Sequence, residues 1–216
     1  MKEKNALGLP KRKKLLFVPV PKTGTHFVNK TLEKHQVDKW IKRLPGYYAH
    51  PTRADYADLF RKLRRKIANY KMFTVVRNPW DWHVSAYHYI KGDDGAEKSG
   101  IMLESEIFKD RTFRDYILSL KDTSAKITPN VFYIRQQSDW VLDYFGELTN
   151  ITVIKQEDLE GNLRWFFEEE DIDVPVTASR PNASERDDYR SYYDDETREI
   201  VRSLHGRDIK FFGYEF

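Results

Sequence analysis

Short apolar segments alternate with longer segments of helical periodicity through most of this chain of 216 residues. Three segments have the length and composition of buried strands, at residues 15–20, 72–76 and 151–155. Apolar spacing and helix-start signals predict helices at residues 25–34, 52–70, 79–91, 112–120, 159–169 and 194–204. This alternation predicts an α/β fold: a three-layer sandwich whose central sheet is mainly parallel and carries helices on both faces.

The domain organisation follows from the absence of a visible linker or repeat in the sequence. We expect a polar lead-in at residues 1–13 and a single domain at residues 14–216. The aromatic share of 14% is too high for a disordered chain. The net charge of +3 is too balanced to indicate nucleic-acid binding.

The cellular compartment is constrained by cysteine usage and by hydropathy. The sequence has no cysteine, which excludes disulfides and thiolate catalysis and fits a reducing compartment. No apolar run approaches the roughly 18 residues that a membrane-spanning helix needs. The basic residues 11–14 precede an apolar run that is too short for a secretory signal. We therefore expect a cytoplasmic protein without a membrane span.

The first predicted strand runs into a tight turn and then a helix, with the sequence PKTGT at residues 21–25. Such a unit directs backbone N–H groups and a helix dipole at one point, which suits an anion. Gly24 permits a close backbone approach, Lys22 adds a mobile charge, and Thr23 and Thr25 add hydroxyl groups. The lysine precedes the only glycine, so the loop is not a Walker A motif. The alternative is an ordinary strand-to-helix turn with a surface lysine.

The second predicted strand also runs through a turn into a helix. Arg77 stands at the end of that strand, where open α/β sheets bind ligands. If Asn78 caps the helix, Ser85 follows nearly two turns later on the same side. Arg77 and Ser85 are therefore expected to reach a single anion. The alternative is an arginine in a structural ion pair and a serine packed within a helix.

Together the two turns resemble the sulfotransferase superfamily, whose enzymes use 3′-phosphoadenosine 5′-phosphosulfate (PAPS). Residues 21–25 are similar to its P-loop-like 5′-phosphosulfate loop, and VRNP at residues 76–79, with Ser85 and Tyr87, is similar to its 3′-phosphate motif. Further segments resemble the carbohydrate-sulfotransferase-like branch; they lie at residues 137–140, 181–184, 189–193, 208–209 and 212–216.

The resemblance implies transfer of a sulfuryl group from PAPS to an acceptor hydroxyl, which we expect to belong to a carbohydrate, leaving adenosine 3′,5′-bisphosphate (PAP). It assigns Lys22 to catalysis at the leaving oxygen and to the 5′-phosphate, where preorganised positive charge stabilises the departing group. Cofactor binding is implied for seven residues: Lys22, Thr23, Gly24, Thr25, His26, Arg77 and Ser85. No metal is implied, because the lysine and the helix end supply positive charge.

A neutral hydroxyl acceptor needs a general base, and an imidazole suits proton abstraction near neutral pH. The resembling branch has a histidine after its second strand, which favours His50 as the catalytic base here. His26, at the start of a helix, is the rival, either as base or as a hydrogen-bond donor to the cofactor. Glu33 and Asp81 are weaker candidates that we expect to face solvent or cap a helix. We expect the remaining histidines to be structural: His35, His83, His88 and His205.

Two positions depart from the pattern of that branch. It often has arginine where this sequence has Trp82, and it usually has a small hydroxyl residue where this sequence has His26. Both positions lie close to the expected anion sites. The contacts with the cofactor are therefore expected to differ in detail from those of the resembling branch.

Recognition of the acceptor is less constrained by the sequence. Residues 61–66 carry five basic side chains, which would steer a polyanionic acceptor or form a solvated helix face, and we favour the solvated face. The charged loop at residues 92–100 is a candidate acceptor gate, and Arg180 and Arg186 are candidates to close over PAPS. Two other functions stay open: a P-loop-type small-molecule kinase, and a non-catalytic module that binds nucleotide or polyanion.

Overall fold

The computed structural model describes residues 15–32, 50–91, 108–121, 135–176 and 187–216. These residues fall into two compact units. The first unit takes its described residues from Met1–Val20, Gly24–Val76 and Trp140–Ser179, and the second from Pro21–Thr23, Arg77–Asp139 and Arg180–Phe216. In chain order the main elements are β1 Leu15–Val18, α1 Thr25–Leu32, α2 Arg53–Lys62, β2 Lys71–Val76, α3 Pro79–Ile90, α4 Phe113–Ser119, α5 Ser138–Val141, β3 Ile151–Lys155, α6 Leu159–Glu169, α7 Asp195–Leu204 and α8 Gly206–Phe212.

The sheet lies in the first unit and has the strand order β1-β2-β3. Both strand pairs are parallel, with Val18 opposite Thr74 and Val75 opposite Ile154. The Thr74 hydroxyl adds a bond of 2.9 Å to the Val18 carbonyl. The carboxyl ends of β1 and β2 therefore meet at one edge of the sheet. Helices flank this sheet, so the expected α/β fold with a parallel sheet is confirmed.

Alternating side chains of the strands form the core of the first unit. Phe17 and Phe73 stack at 5.1 Å between ring centroids, and Phe73 contacts Phe166 of α6 at 4.9 Å. The same cluster includes Phe27 and Val28 of α1. These contacts place α1 and α6 against one set of strand side chains. On β1, the Phe17 carbonyl accepts a bond of 3.2 Å from the Tyr56 hydroxyl of α2.

The second unit has a largely aromatic core in which α3 is central. Helix α3 buries both Trp80 and Trp82, which are 1% and 0% exposed. The C-terminal residue packs against the start of α3. Phe216 lies edge-on to Trp80, Tyr189 and Tyr193. The aromatic ending of the sequence therefore helps to hold the first turn of α3 in place.

One predicted helix is wrong in extent. The sequence pattern predicts a single helix over residues 52–70, capped by Thr52; the cap is present in a capping box with Asp55, but α2 ends at Lys62. Arg64 adopts a left-handed conformation with φ of 52°. Its N–H binds the Arg61 carbonyl and the Arg65 N–H binds the Phe60 carbonyl, which is a Schellman ending. The basic run thus lies at the helix C-terminus, where the dipole favours positive charge.

Other boundaries differ by a few residues. The first strand ends at Val18 rather than at residue 20, and a further helix, α8, follows the predicted last helix and contains the start of the aromatic tail. Helices α3 and α6 match their predicted positions closely, and α4 and α7 are capped by Thr112 and Asp194. The lead-in at 1–13 and the end of the predicted helix at 25–34 lie outside the described residues.

Among the helices that the structure describes, none combines the length and apolar character required to cross a bilayer.

The stacked phenylalanines predict the stability cost of opening this core. Phe73 is fully buried, so Phe73→Ala is expected to lower the free energy of unfolding by about 3–5 kcal/mol through lost burial and a cavity. Urea titration followed by fluorescence measures the change. Phe145→Ala is the matched control: this ring is 89% exposed, and its loss should change stability by less than about 0.5 kcal/mol. Equal losses for the two variants would contradict this packing.

Candidate functional site

The turn after β1 has an unusual backbone conformation. Lys22 has φ of 59° and Gly24 has φ of 87°, both in the left-handed region. A Cβ atom placed on Gly24 would lie 2.7 Å from a methyl carbon of Leu159. Glycine is therefore required here for conformation and for space. Helix α1 begins at the next residue, Thr25, so the turn leads directly into a helix N-terminus.

The carbonyl groups of this turn are bound by side chains from the segment that follows β2. The Arg77 guanidinium donates through Nη1 to the Lys22 carbonyl at 3.1 Å. The Trp82 indole N–H donates to the Pro21 carbonyl at 2.7 Å. The Lys22 ammonium lies 3.9 Å from the centre of the Tyr89 ring. The lysine turn and the arginine segment thus contact each other directly.

Trp82 stands at one of the two positions that depart from the resembling branch. The side chain is fully buried and its N–H binds the turn, so this tryptophan supports the loop from within the unit. The other departure, His26, is exposed on the first turn of α1. Tyr89 is a contact that sequence reasoning missed; it lies four residues after Ser85 on the same helix, a spacing that could have indicated it.

The remaining residues of the turn are held locally. The Thr25 hydroxyl donates to the Val20 carbonyl at 2.9 Å, which ties the start of α1 to the end of the strand segment. Thr23 is fully buried. The Val28 N–H continues the helix ladder to the Gly24 carbonyl at 3.1 Å. The loop is thus ordered by hydrogen bonds of its own in addition to those from Arg77 and Trp82.

Arg77 is itself mostly buried, with 8% exposure. Its Nε atom forms an ion pair with Asp81 at 2.6 Å. This contact is the one expected from the structural alternative, and Asp81 forms an ion pair where the sequence predicted a solvent-facing or capping residue. The helix is capped instead by Asn78, whose side chain accepts from the Trp80 N–H at 3.1 Å, as the sequence predicted. Ser85 is half-buried on α3.

The backbone of Arg77 is bound by a residue that sequence reasoning left without a role. The Gln137 side chain accepts from the Arg77 N–H at 2.9 Å and donates to the Arg77 carbonyl at 2.8 Å. Asp208 in turn accepts from the backbone N–H groups of Gln137 and Ser138 at 2.5 and 2.8 Å. Gln137 and Asp208 both belong to segments of the family resemblance, which was the available signal for them.

His50, the predicted base, is half-buried in the first unit, and one of its hydrogen bonds indicates which ring nitrogen carries the proton. Its Nδ1 atom lies 3.1 Å from the Pro19 carbonyl, just after β1. A carbonyl can only accept, so Nδ1 carries the proton and the neutral ring has its lone pair on Nε2. This is the tautomer that a general base requires. The His50 carbonyl accepts from the Trp140 indole N–H at 3.2 Å.

Two buried histidines pair behind the arginine segment. Nε2 of His83 lies 2.8 Å from Nε2 of His205, and Nδ1 of His83 lies 3.0 Å from the Tyr116 hydroxyl. Nδ1 of His205 faces Asp208 at 3.7 Å. Burial lowers the pKa of His83 well below its usual value, and the neighbouring His205 lowers it further. Both histidines are fully buried, consistent with the structural role expected from sequence.

The remaining candidates are exposed or lie elsewhere in the chain. The basic side chains of residues 61–66 are all exposed, as the solvated-face interpretation predicts. Within the described ranges, no group of three or more histidine, aspartate or glutamate residues is arranged to hold a metal ion. Several candidates lie outside the described residues: Glu33, His35, Arg180, Arg186 and the loop at 92–100.

Comparisons with known proteins identify a family and a similar fold. The profile of the Sulfotransferase family matches residues 9–215 of this chain. The fold is similar to that of the mouse sulfotransferase SULT7A1, whose crystal structure was determined in complex with PAP, with a TM-score of 0.54. The two chains are 17% identical over 92% of this chain and 85% of the mouse chain, so this match supports the fold alone. No curated protein matches the sequence significantly.

The buried His83 predicts a loss of stability in acid. Its folded-state pKa is lowered, so between that value and about 6.5 the unfolded chain binds a proton that the folded chain does not. The stability that the neutral His83 contributes is fully present above pH 6.5. As the pH falls below this value, the free energy of unfolding decreases by up to about 1.4 kcal/mol per pH unit. Urea titrations at pH 7.5, 6.5 and 5.5 should show a smaller pH slope for His83→Asn than for the wild type. Equal slopes would contradict the assignment.

Proposed function

Because this chain belongs to the sulfotransferase family, whose enzymes use PAPS, we propose that it transfers a sulfuryl group from PAPS to a hydroxyl group of a carbohydrate. The enzyme class follows from the family match. The acceptor and the roles of individual residues are our proposal. They are supported by the geometry of the two turns and by the position of His50.

The contact between Arg77 and Lys22 is the observation that carries the proposal. PAPS has charged groups at two positions, and its recognition needs cations that are fixed relative to each other. The bond from the Arg77 guanidinium to the Lys22 carbonyl fixes the two cationic residues within one unit. We assign Arg77 and Ser85 to the 3′-phosphate. We assign the turn that contains Lys22 to the 5′-phosphosulfate.

The turn itself fits a phosphate group. Left-handed φ values at Lys22 and Gly24 are typical of loops whose successive N–H groups form an anion-binding concavity. The turn leads into the N-terminus of α1, where the dipole and the first N–H groups attract anions. Thr23, Thr25 and His26 are the further residues proposed to bind here. That the mouse enzyme of similar fold was crystallised with PAP is consistent with this assignment.

The proposed reaction is a single displacement at sulfur. The acceptor oxygen forms a bond to sulfur while the bond from sulfur to the PAP oxygen breaks. The acceptor proton passes to Nε2 of His50, which carries the lone pair of the neutral ring when Nδ1 donates to the Pro19 carbonyl. Lys22 stabilises the charge that develops on the departing PAP oxygen. PAPS supplies the sulfuryl group.

The carbohydrate acceptor rests on sequence resemblance. The QSDW segment at residues 137–140 and the C-terminal segments at 189–193, 208–209 and 212–216 are similar to the carbohydrate-sulfotransferase-like branch. The exposed basic side chains at residues 61–66 are not assigned to the acceptor. A screen of glycans, lipids and small alcohols with labelled PAPS tests this part of the proposal, and exclusive transfer to a non-carbohydrate would contradict it.

The proposed 3′-phosphate contact predicts the effect of removing the arginine. Arg77→Ala removes a charge-assisted bond and is expected to weaken PAP binding by about 10- to 100-fold. Isothermal titration calorimetry with PAP measures the change. Arg61→Ala is the matched control, because this arginine is exposed and paired with Asp58, and PAP affinity should be unchanged. An intact wild-type protein that binds no PAP would overturn the proposal.

The proposed base predicts a separation between turnover and binding. His50→Ala removes the proton acceptor and is expected to abolish sulfuryl transfer, while PAP affinity stays within about threefold because the imidazole touches no phosphate in our assignment. Transfer is measured with labelled PAPS, and binding by calorimetry. His26→Ala is the comparison variant, with an exposed imidazole at the turn. If that variant loses turnover and His50→Ala retains it, the base is His26.

A further inference from the structure

We propose that Gln137, held in place by Asp208, is the residue that positions Arg77 and so sets the preference for nucleotides that carry a 3′-phosphate. This inference rests on the proposed function, because it takes Arg77 as the ligand of that phosphate. Gln137 is a positioning residue in this proposal. It acts on the arginine and has no contact with substrate assigned to it.

The contact between Gln137 and Arg77 has the geometry of a strand pairing made by a side chain. Arg77 follows the last residue of β2, Val76, and so lies beyond the pairing between β2 and β3, which ends with Val76 opposite Lys155. The Gln137 amide supplies both partners that a strand would supply: its oxygen accepts from the Arg77 N–H at 2.9 Å, and its NH₂ donates to the Arg77 carbonyl at 2.8 Å. Two bonds to one residue fix the orientation of its peptide groups.

The amide can do this only if its own backbone is fixed. Asp208 supplies the restraint, because its two oxygens accept from the N–H groups of Gln137 and Ser138 at 2.5 and 2.8 Å. Gln137 and Asp208 are both fully buried, so these bonds are shielded from competing water. The Asp208 N–H also donates to the side chain of Gln136 at 3.2 Å. The preceding residue thus closes a second link between helix α8 and this segment.

The orientation of the Arg77 backbone decides where its side chain lies. The guanidinium makes an ion pair with Asp81 at 2.6 Å and a bond to the Lys22 carbonyl at 3.1 Å. Both contacts depend on the direction in which the side chain leaves the backbone. A rotated peptide at residue 77 would shift the guanidinium relative to the lysine turn. Gln137 therefore controls the spacing of the two cationic residues.

Glutamine is chemically specific for this role. The pair of bonds needs one acceptor and one donor side by side, and an amide has both. Gln137→Glu keeps the shape and the acceptor for the Arg77 N–H. It replaces the donor by a carboxylate oxygen that faces the Arg77 carbonyl, so one bond is lost and a repulsion is gained. This substitution therefore tests the contact without leaving a cavity.

The experiment compares two nucleotides on each variant. PAP has the 3′-phosphate and adenosine 5′-monophosphate (AMP) lacks it, and calorimetry measures both affinities. Gln137→Glu is expected to weaken PAP binding by about tenfold and AMP binding by less than about twofold. Asp208→Asn should show the same selective loss to a smaller extent, because its amide can accept only one of the two N–H groups. Asn69→Asp is the matched control, the same type of change at an exposed residue before β2, and should alter neither affinity.

A double-mutant cycle separates positioning from a general effect on stability. If Gln137 acts through Arg77, adding Gln137→Glu to Arg77→Ala produces little further loss of PAP affinity. Additive losses, equal losses for PAP and AMP, or loss of folding in both Gln137→Glu and Asp208→Asn would overturn the inference. Failure of the proposed function gives a different result, since the wild-type protein would then show no preference for PAP over AMP.

Discussion

The hydrogen bond from the Arg77 guanidinium to the Lys22 carbonyl connects the two parts of the proposed PAPS site. In the sequence, the two cationic residues lie in the segments that follow β1 and β2, which are adjacent and parallel strands. Each segment then enters a helix, α1 or α3, whose N-terminus favours negative charge. An arginine and a lysine that are close together repel each other unless an anion lies near them. The bond to a backbone carbonyl and the ion pair with Asp81 hold the arginine in place by other means.

The fixed position of these cations depends on buried polar groups behind them. Gln137 binds the Arg77 backbone as a strand partner would, and Asp208 orients Gln137. The pair of His83 and His205 lies beside Asp208, in a core of aromatic and aliphatic side chains. Hydrogen bonds are strong in such surroundings, and an unpaired group there is costly. The same burial that orders the site lowers the pKa of His83, so order at the site and loss of stability in acid have a common cause.

Sequence reasoning located the strands and most helices because their signals are local. Asn78 and Pro79 mark the start of α3, and the short apolar run of β2 predicts a buried strand. The helix predicted over residues 52–70 is too long, because the helical spacing of apolar residues continues past Lys62 while the backbone turns at Arg64. The ending is stabilised by two backbone hydrogen bonds and by Phe60 packing edge-on against Tyr70, and helical periodicity reports neither.

The order of strands and helices, the glycine at the turn and the two cationic residues can all be read from the sequence, because each depends on neighbours a few positions away. The tertiary structure alone shows that Gln137 and Asp208, 60 and 131 residues after Arg77, form the chain of bonds behind it. Such contacts join segments that are distant in sequence, and a buried amide has no periodicity that reveals its partner. The pairing of His83 with His205 has the same origin. The residues proposed to carry the chemistry are therefore found in local motifs, whereas their relative positions depend on hydrogen bonds between segments that are distant in sequence.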